Sequence, residues 1–373
     1  MGGSKFIGRS TVSAFVKAGW SVTTYNRGKT HWHPHEHLQQ INRVIGDRSN
    51  EASFFKYLIS SGPWDAVVDF TSFDGEDVSV VIEGLRSVKH YVFISTDSVY
   101  EVCPSSISPR TEDTAIRPQD PNLRQQLHQK DKYGSNKLEC EEVLQAAFEK
   151  GGFPYTSLRL PDIFGPYDTT KRHWRYQVWL KCGEESKVEL SKSGREKPLS
   201  FVYSEDVSSA ILAVIEAGPS VFGHSLNIAQ EETPTLEQYL RTVASCIGVR
   251  PQFLLSDKVL YRWLPSVKCG PVSIEKAKRM LKWRPTPMGR ALEETCAWHE
   301  AAWGMFPKKR PVAHLPVSAI VRLEGSYSSP TPPTAPLPIV HHPIAPTVET
   351  NEGTQEDYSD GEFKLEYVLQ NLK

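Results

Sequence analysis

The sequence predicts an α/β protein, a doubly wound parallel sheet followed by a smaller mixed C-terminal lobe. Three observations predict it. Short runs rich in Val, Ile, Tyr and Phe alternate with helix-period stretches as far as residue 160. Those runs are nearly continuous in apolar character, as in strands buried on both faces. A glycine cluster, Gly2-Gly3-Ser4-Lys5-Phe6-Ile7-Gly8, opens the first helical stretch.

The elements follow in order. From Gly8 to about Gly19, Val12, Phe15 and Val16 recur at helical spacing, and Gly19 suits the stop. Strands are expected at 21–26 (SVTTYN), 43–47 (RVIGD), 64–70 (WDAVVDF), 91–96 (YVFIST) and 155–160 (YTSLRL). Helices are expected between them, including EDVSVVIEGLRSV and SNKLECEEVLQAAFEKGG. In the latter, Cys140, Val143, Leu144, Ala147 and Phe148 form one stripe, and Gly151-Gly152 ends it. These elements make a first domain over 1–160.

A second, smaller lobe spans 161–306, with segments returning to the core. PLSFVYSEDVSSAILAVIEAG reads as a strand or loop entering a helix and HSLNIA as a short strand. TLEQYLRTVASCIG is a helix capped by Thr235 and closed by Gly248, and MGRALEETCAWHEAAWG is the last helix. Trp283, Trp298 and Trp303 are expected to pack this lobe. From 307 to 373 the chain is rich in Pro, Thr, Ser and acid, the composition of a disordered tail.

With 373 residues and a formal net charge of −1, the chain shows no overall electrostatic footprint for polyanions. Six cysteines without a CxxC pair suit reduced thiols rather than a disulfide framework or zinc site. His31, His33, His35 and His37 alternate, but Pro34 interrupts them in a surface loop, so no metal is expected. No apolar run approaches the roughly 20 residues of a membrane helix. No signal peptide is visible, and the cytoplasm is the expected compartment.

Three signals carry chemistry. Glycines let a backbone approach a phosphate group whose charge a helix N-terminus favours, although a disordered glycine start would look the same. Tyr133 and Lys137 sit at i,i+4, one face of a helix, where an ammonium favours a phenolate. The strand at 91–96 delivers Ser95, Thr96 and Ser98 to its carboxyl end, where ligands of open parallel sheets sit; hydroxyls also end strands simply as turn formers.

In that order, with YNRG, GDR (46–48), FISTDSVY, YGSNKLECE, LRLPDIFGPYD, FVYSEDV and LNIA, residues 2 to about 303 resemble the extended short-chain dehydrogenase/reductase family. It is also called the NAD-dependent epimerase/dehydratase family. The resemblance implies a Rossmann-like fold and an NAD or NADP cofactor. Its implied cofactor contacts are Gly2, Gly3, Lys5, Phe6, Ile7 and Gly8, with Asp47 and Arg48 at the adenine and Pro161 near the nicotinamide. Asn26 and Arg27 end the strand where an acidic residue would hold the NAD ribose, so Arg27 tilts the expectation toward NADP.

Thr96 is implied to orient the substrate, Tyr133 to act as the acid–base and Lys137 as its partner. Lowering a phenol by three units needs about 4 kcal/mol at roughly 1.36 per unit. That exceeds a lysine alone, so lysine and a cationic nicotinamide are expected to act together. The implied substrate is a small hydroxylated molecule such as a nucleotide sugar, and the implied assembly a homodimer.

Two departures stand out. Lys5 replaces the middle glycine of GxxGxxG, as in an atypical branch that includes chloroplast stem-loop-binding proteins. That branch makes a non-catalytic NAD(P)-binding or RNA-associated protein the rival expectation; a scaffold acting through the proline-rich tail is a third. The other is that no strand precedes Gly2. About five buried aliphatic side chains there would contribute roughly 10 kcal/mol, comparable with a whole domain's stability of about 5–15 kcal/mol. The first strand is therefore expected to be missing from an incomplete gene model or a truncated isoform; a chain real as written is expected to fold poorly or hold its cofactor weakly. Residues 101–132 read equally as a lid and as a surface insertion.

Overall fold

A computed structural model describes residues 1–29, 41–181, 187–257, 259 and 262–305. The histidine cluster and the proline-rich tail lie outside the described residues, as does the Trp303 side chain. The first part runs α1 (Phe6–Lys17), β1 (Thr23–Asn26), β2 (Asn42–Ile45), α2 (Glu51–Ser60), β3 (Val67–Asp69), α3 (Gly75–Gly84), β4 (Tyr91–Thr96), α4 (Pro121–Lys130), α5 (Lys132–Gly151) and β5 (Tyr155–Leu160). It continues β6 (Asp162–Phe164), α6 (Arg172–Lys181), β7 (Val188–Ser191), β8 (Phe201–Tyr203), α7 (Ser204–Ala217), β9 (His224–Asn227), α8 (Leu236–Cys246), β10 (Phe253–Ser256), α9 (Glu275–Leu281) and α10 (Met288–Met305).

Every ladder among the described residues is parallel. The central sheet runs β3-β4-β5-β9, and β1 pairs with β2 beside it. The side chains of β4 show why its run reads as continuously apolar. Val92 and Ile94 enter a cluster with Phe15 of α1, Val207, Ile211 and Val214 of α7, and Leu281. Tyr91 and Phe93 enter the opposite one, with Phe54 and Leu58 of α2, Val78 and Val81 of α3, and Cys140 and Leu144 of α5. Both faces are covered, so both parities of the strand must be apolar.

Among the described residues no strand lies between β1 and β3. Met1 and Gly2 stand there instead. The Met1 ammonium donates to the Val68 carbonyl at 2.5 Å, the Phe70 N–H donates to the Met1 carbonyl at 3.2 Å, and the Gly2 N–H donates to the Tyr25 carbonyl at 2.9 Å. Those three bonds bridge the two pieces of sheet.

β9 and α7 return from beyond residue 160 to the sheet layer. A separate core joins Tyr176 and Trp179 of α6, Val188 and Leu190 of β7, Phe201 and Tyr203 of β8, Tyr239 and Leu240 of α8, and Leu292 and Cys296 of α10. Helix α8 carries the expected cap: Thr235 and Gln238 form a reciprocal capping box. Trp283 corrects the expectation made for it. It packs on the sheet side with α7, donating to Ser209 Oγ at 2.9 Å, because the α9 turn carries it there and not into the smaller core.

The segment 101–132 is tied down along its first half. Arg110 N–H donates to the Pro271 carbonyl, Ser273 N–H to the Arg110 carbonyl, and Lys268 N–H to Glu101. Beneath the sheet ends, Arg159 of β5 and Glu141 of α5 form a buried ion pair at 2.6 Å, with Ser95 and Ser225 also donating to Glu141.

Candidate active site

The carboxyl ends of β1 to β5 open into one cavity of about 1390 Å³. Its wall includes the whole stretch Gly2–Gly8, Asn26, Arg27, Asp47, Arg48, Thr96, Tyr133, Lys137 and Pro161. All the residues singled out from the sequence therefore share one space, at the position ligands take in open parallel sheets.

The glycine turn is a backbone construction. Gly2 and Gly3 have φ of +90° and +89°, and a Cβ on Gly8 would lie 2.9 Å from the Gly3 Cα. That cradle admits no side chain at Gly8 without displacing backbone. Lys5 stands in extended backbone (φ −131°, ψ 150°) just before α1, exposed. Any residue adopts that conformation, so its bulk leaves the turn intact; the left-handed residue is Phe6, with φ +40°. Helix α1 has no side-chain cap and no acid in its first turn, which leaves its first N–H groups for an anion. A dinucleotide pyrophosphate fits this donor set.

Along the wall, Asn26 donates to the Gly2 carbonyl at 3.3 Å and accepts from the Gly28 N–H at 3.0 Å, pinning the β1 end to the turn. Arg27 and Lys29 are exposed at the rim. Arg48 is turned inward, to Thr71 Oγ1 at 2.9 Å, the Asp77 carbonyl at 3.0 Å and the Asp69 carboxylate at 3.4 Å. Burial alone would raise Asp69, but Arg48, the amino terminus and hydrogen bonds from Ser72 and Thr71 hold it well below the usual carboxylate range.

At the end of β4, Thr96 Oγ1 accepts from the Ser98 N–H at 3.2 Å. Tyr133 and Lys137 do share the cavity, but not as the i,i+4 pairing suggests. Lys137, 2% exposed, donates to the carbonyls of Ser72 (2.9 Å) and Ile94 (2.5 Å), and burial pulls it down to about 8. Tyr133 is half exposed in the cavity wall, and partial desolvation and then Asp97 push it up, against a hydrogen bond with Thr96. The charges acting most on the phenol are thus Asp97, Asp131 and Arg172. The Lys137 ammonium is engaged by the carbonyls of Ser72 and Ile94, and the expected joint action of Lys137 and a nicotinamide charge on Tyr133 is a matter for the bound state.

Sequence reasoning missed the far end of the cavity. Asp97, fully buried beside Asp162 and Glu101, is raised well above the carboxylate range, burial contributing most. Asp162 accepts from Arg172 at 2.6 Å and from the Ser266 N–H and hydroxyl at 2.6 Å each. Glu101 pairs with Lys130 at 3.3 Å, and Lys268 stands at the rim. The Asp97 signal was present in FISTDSVY, an acid directly after a wholly buried strand. Nothing local linked it to residues 162, 172 and 266.

No helix among the described residues is long and apolar enough to cross a membrane. No group of three or more His, Cys, Asp or Glu among them could hold a metal ion.

Known proteins carry the same architecture. A dTDP-glucose 4,6-dehydratase from Bacillus anthracis, solved in complex with NAD, superposes with a TM-score of 0.62 at 19% identity, covering 81% of this chain and 96% of that one. A UDP-glucose 4-epimerase from Thermotoga maritima, solved with UDP-glucose, gives 0.62 at 20% identity, covering 80% and 97%. In sequence, the chloroplast stem-loop binding protein of 41 kDa b of Arabidopsis thaliana is 27% identical over 310 residues, 76% of this chain and 74% of that protein. A 3beta-hydroxysteroid-dehydrogenase/decarboxylase isoform 3 of the same plant is 26% identical over 244 residues, 58% of this chain and 40% of that protein. Residues 1–229 match the sequence model of a family described as NAD dependent epimerase/dehydratase, and with more than half its length so matched the chain belongs to that family.

Proposed function

We propose that this protein is an NAD(P)-dependent enzyme that exchanges a hydride at a carbinol or carbonyl carbon, and a proton at its oxygen, on a small hydroxylated molecule. The observation that carries the reading is the convergence of the glycine cradle, Thr96, Tyr133 and Pro161 on one cavity. Gly2–Gly8 would hold the pyrophosphate, Asp47 and Arg48 the adenosine side, and Pro161 the nicotinamide side. When bound, the nicotinamide supplies or takes the hydride. Tyr133, a neutral phenol while the site is empty of charge, donates the proton as a carbonyl is reduced; taking a hydroxyl proton in the reverse direction requires its phenolate, which the positive charge of an oxidised nicotinamide would favour. Thr96 orients the reacting oxygen. Asp97, raised by burial and by Asp162 and Glu101, is a candidate second proton donor at the same end, suited to protonating a departing hydroxyl.

Arg27 and Lys29, exposed at the rim beside the β1 end, favour NADP over NAD, since a 2′-phosphate needs a cation where NAD needs an acid. The names carried by the similar structures, dTDP-glucose and UDP-glucose, make nucleotide sugars the first substrates to try. The smaller lobe after residue 160 would be the substrate domain, and the assembly a homodimer. Scattered thiols support a reducing compartment such as the cytoplasm.

NADPH should quench the tryptophan fluorescence, and Tyr133→Phe should keep that quench while turnover on a sugar-nucleotide panel falls about 10²- to 10⁴-fold. If neither NADH nor NADPH binds at millimolar concentration, the proposal fails. The second reading, an RNA-associated protein of the same fold, draws on the stem-loop-binding relative and on Lys5, Arg27 and Lys29 at one mouth. It requires RNA retention that falls steeply with salt and is indifferent to Tyr133→Phe.

A further inference from the structure

Helix α1 is the cofactor helix, yet its fourth residue faces away from the cradle. Arg9 is 6% exposed, and its guanidinium lies 3.6 Å above the centroid of the Tyr167 ring. Tyr167 belongs to the loop 165–171 between β6 and α6. This loop has an unusual backbone: Tyr167 and Lys171 are left-handed, with φ of +63° and +59°, and neither is glycine. Such residues persist only where their surroundings over-determine them.

The surroundings are aromatic. On the α10 side the Tyr167 ring meets Trp298 at 4.8 Å; Trp298 meets His299 at 5.3 Å, and His299 stacks on His173 of α6 at 5.4 Å. A continuous chain of ring contacts, tilted, then edge-on, then stacked, thus leads from α1 through the loop toward the smaller core. The next residues of the same loop, Thr169 and Thr170, and then Arg172, line the substrate end of the cavity.

We infer that Arg9 and Tyr167 are positioning residues that clamp the 165–171 loop onto the cofactor helix, so that cofactor binding at the glycine turn also orders the wall of the substrate end. A planar guanidinium is needed for this, because stacking on a ring face is what a lysine ammonium does poorly. The inference rests on the cofactor reading above and adds a route between the two ends of the site.

The test is hydrogen–deuterium exchange on the full-length chain with and without NADPH. In the wild-type chain NADPH should slow exchange at residues 2–8 and, by about tenfold, at 165–172. Arg9→Lys and Tyr167→Leu should each keep the protection at 2–8 and reduce that at 165–172 to less than about twofold. Tyr167→Phe, which retains the ring, should behave as wild type. Should Arg9→Lys fold poorly, Tyr167→Leu interrogates the clamp from the loop side. Equal loop protection in wild type and both disruptive variants overturns the clamp. So does a wild-type loop that NADPH leaves unprotected while the turn is protected, or a variant that loses protection at the turn too. Absence of NADPH protection anywhere in the wild-type chain instead refutes the cofactor reading itself.

Discussion

Around the glycine turn the cavity wall is backbone; at the far end it is side chain. The first is made by one contiguous stretch, Gly2–Gly8, with φ values only glycine adopts readily and a Gly3–Gly8 approach that excludes a Cβ. The second is assembled from Asp97, Glu101, Asp162, Arg172, Ser266 and Lys268, which come from four separate segments. Backbone construction tolerates almost no substitution, whereas the side-chain wall can be rebuilt for another ligand.

The largest expected effect breaks what both ends share. Arg159 and Glu141 hold α5, which carries Tyr133 and Lys137, against β5. Glu141→Ala leaves a buried guanidinium unpaired and should cost about 3–5 kcal/mol, read from urea unfolding. A loss below about 1 kcal/mol would mean the pair is solvated and the frame is held by packing alone.

The next tests the backbone end by itself. Gly8→Ala puts a methyl 2.9 Å from the Gly3 Cα, and NADPH affinity should fall about 10²-fold, or roughly 2.7 kcal/mol, by fluorescence titration. Ser266→Ala, at the opposite end, should leave that affinity unchanged. If the two variants weaken NADPH alike, the ends are not separable as described.

A smaller effect sharpens the cofactor choice. Arg27→Ala should weaken NADPH about tenfold, near 1.4 kcal/mol, and leave NADH within about twofold. Equal losses would remove the argument for a 2′-phosphate contact.

The smallest concerns the stacked histidines behind the substrate wall. Burial, and then the neighbouring His173, hold His299 well below its ordinary 6.5, and burial takes His173 down to about 4. The folded state therefore binds fewer protons than the unfolded chain as pH falls below 6.5, and stability drops over that range. The Tm advantage of wild type over His299→Gln should be greatest near neutral pH and shrink toward about pH 5. An advantage constant across that interval would mean the ring is not buried in its neutral form.

Much of the sheet was legible. β4 and β5 occupy the very residues expected, because runs buried on both faces announce themselves by composition. β1 begins two residues later than expected and β3 is trimmed to Val67–Asp69, where pairing rather than composition sets the ends. β7 and β10 escaped notice: VELS and FLLS are four residues each and pair across a separation of some sixty positions. In the site, the cradle, Thr96, Tyr133 and Pro161 were visible as motifs. Lys137 was visible too, but its partners were not, since carbonyls at residues 72 and 94 leave no mark in sequence.

Sequence by itself determined the alternation of buried strands and helices, the glycine cradle and the identity of the groups at the strand ends. It could do so because period, composition and backbone freedom are properties of contiguous residues. Tertiary structure alone decided that Lys137 serves carbonyls, that burial and neighbouring acids raise Asp97, and that Arg9 lies on Tyr167. Each of these depends on desolvation and on charges or rings brought together from distant segments, and burial is a property that no stretch of chain possesses before it folds.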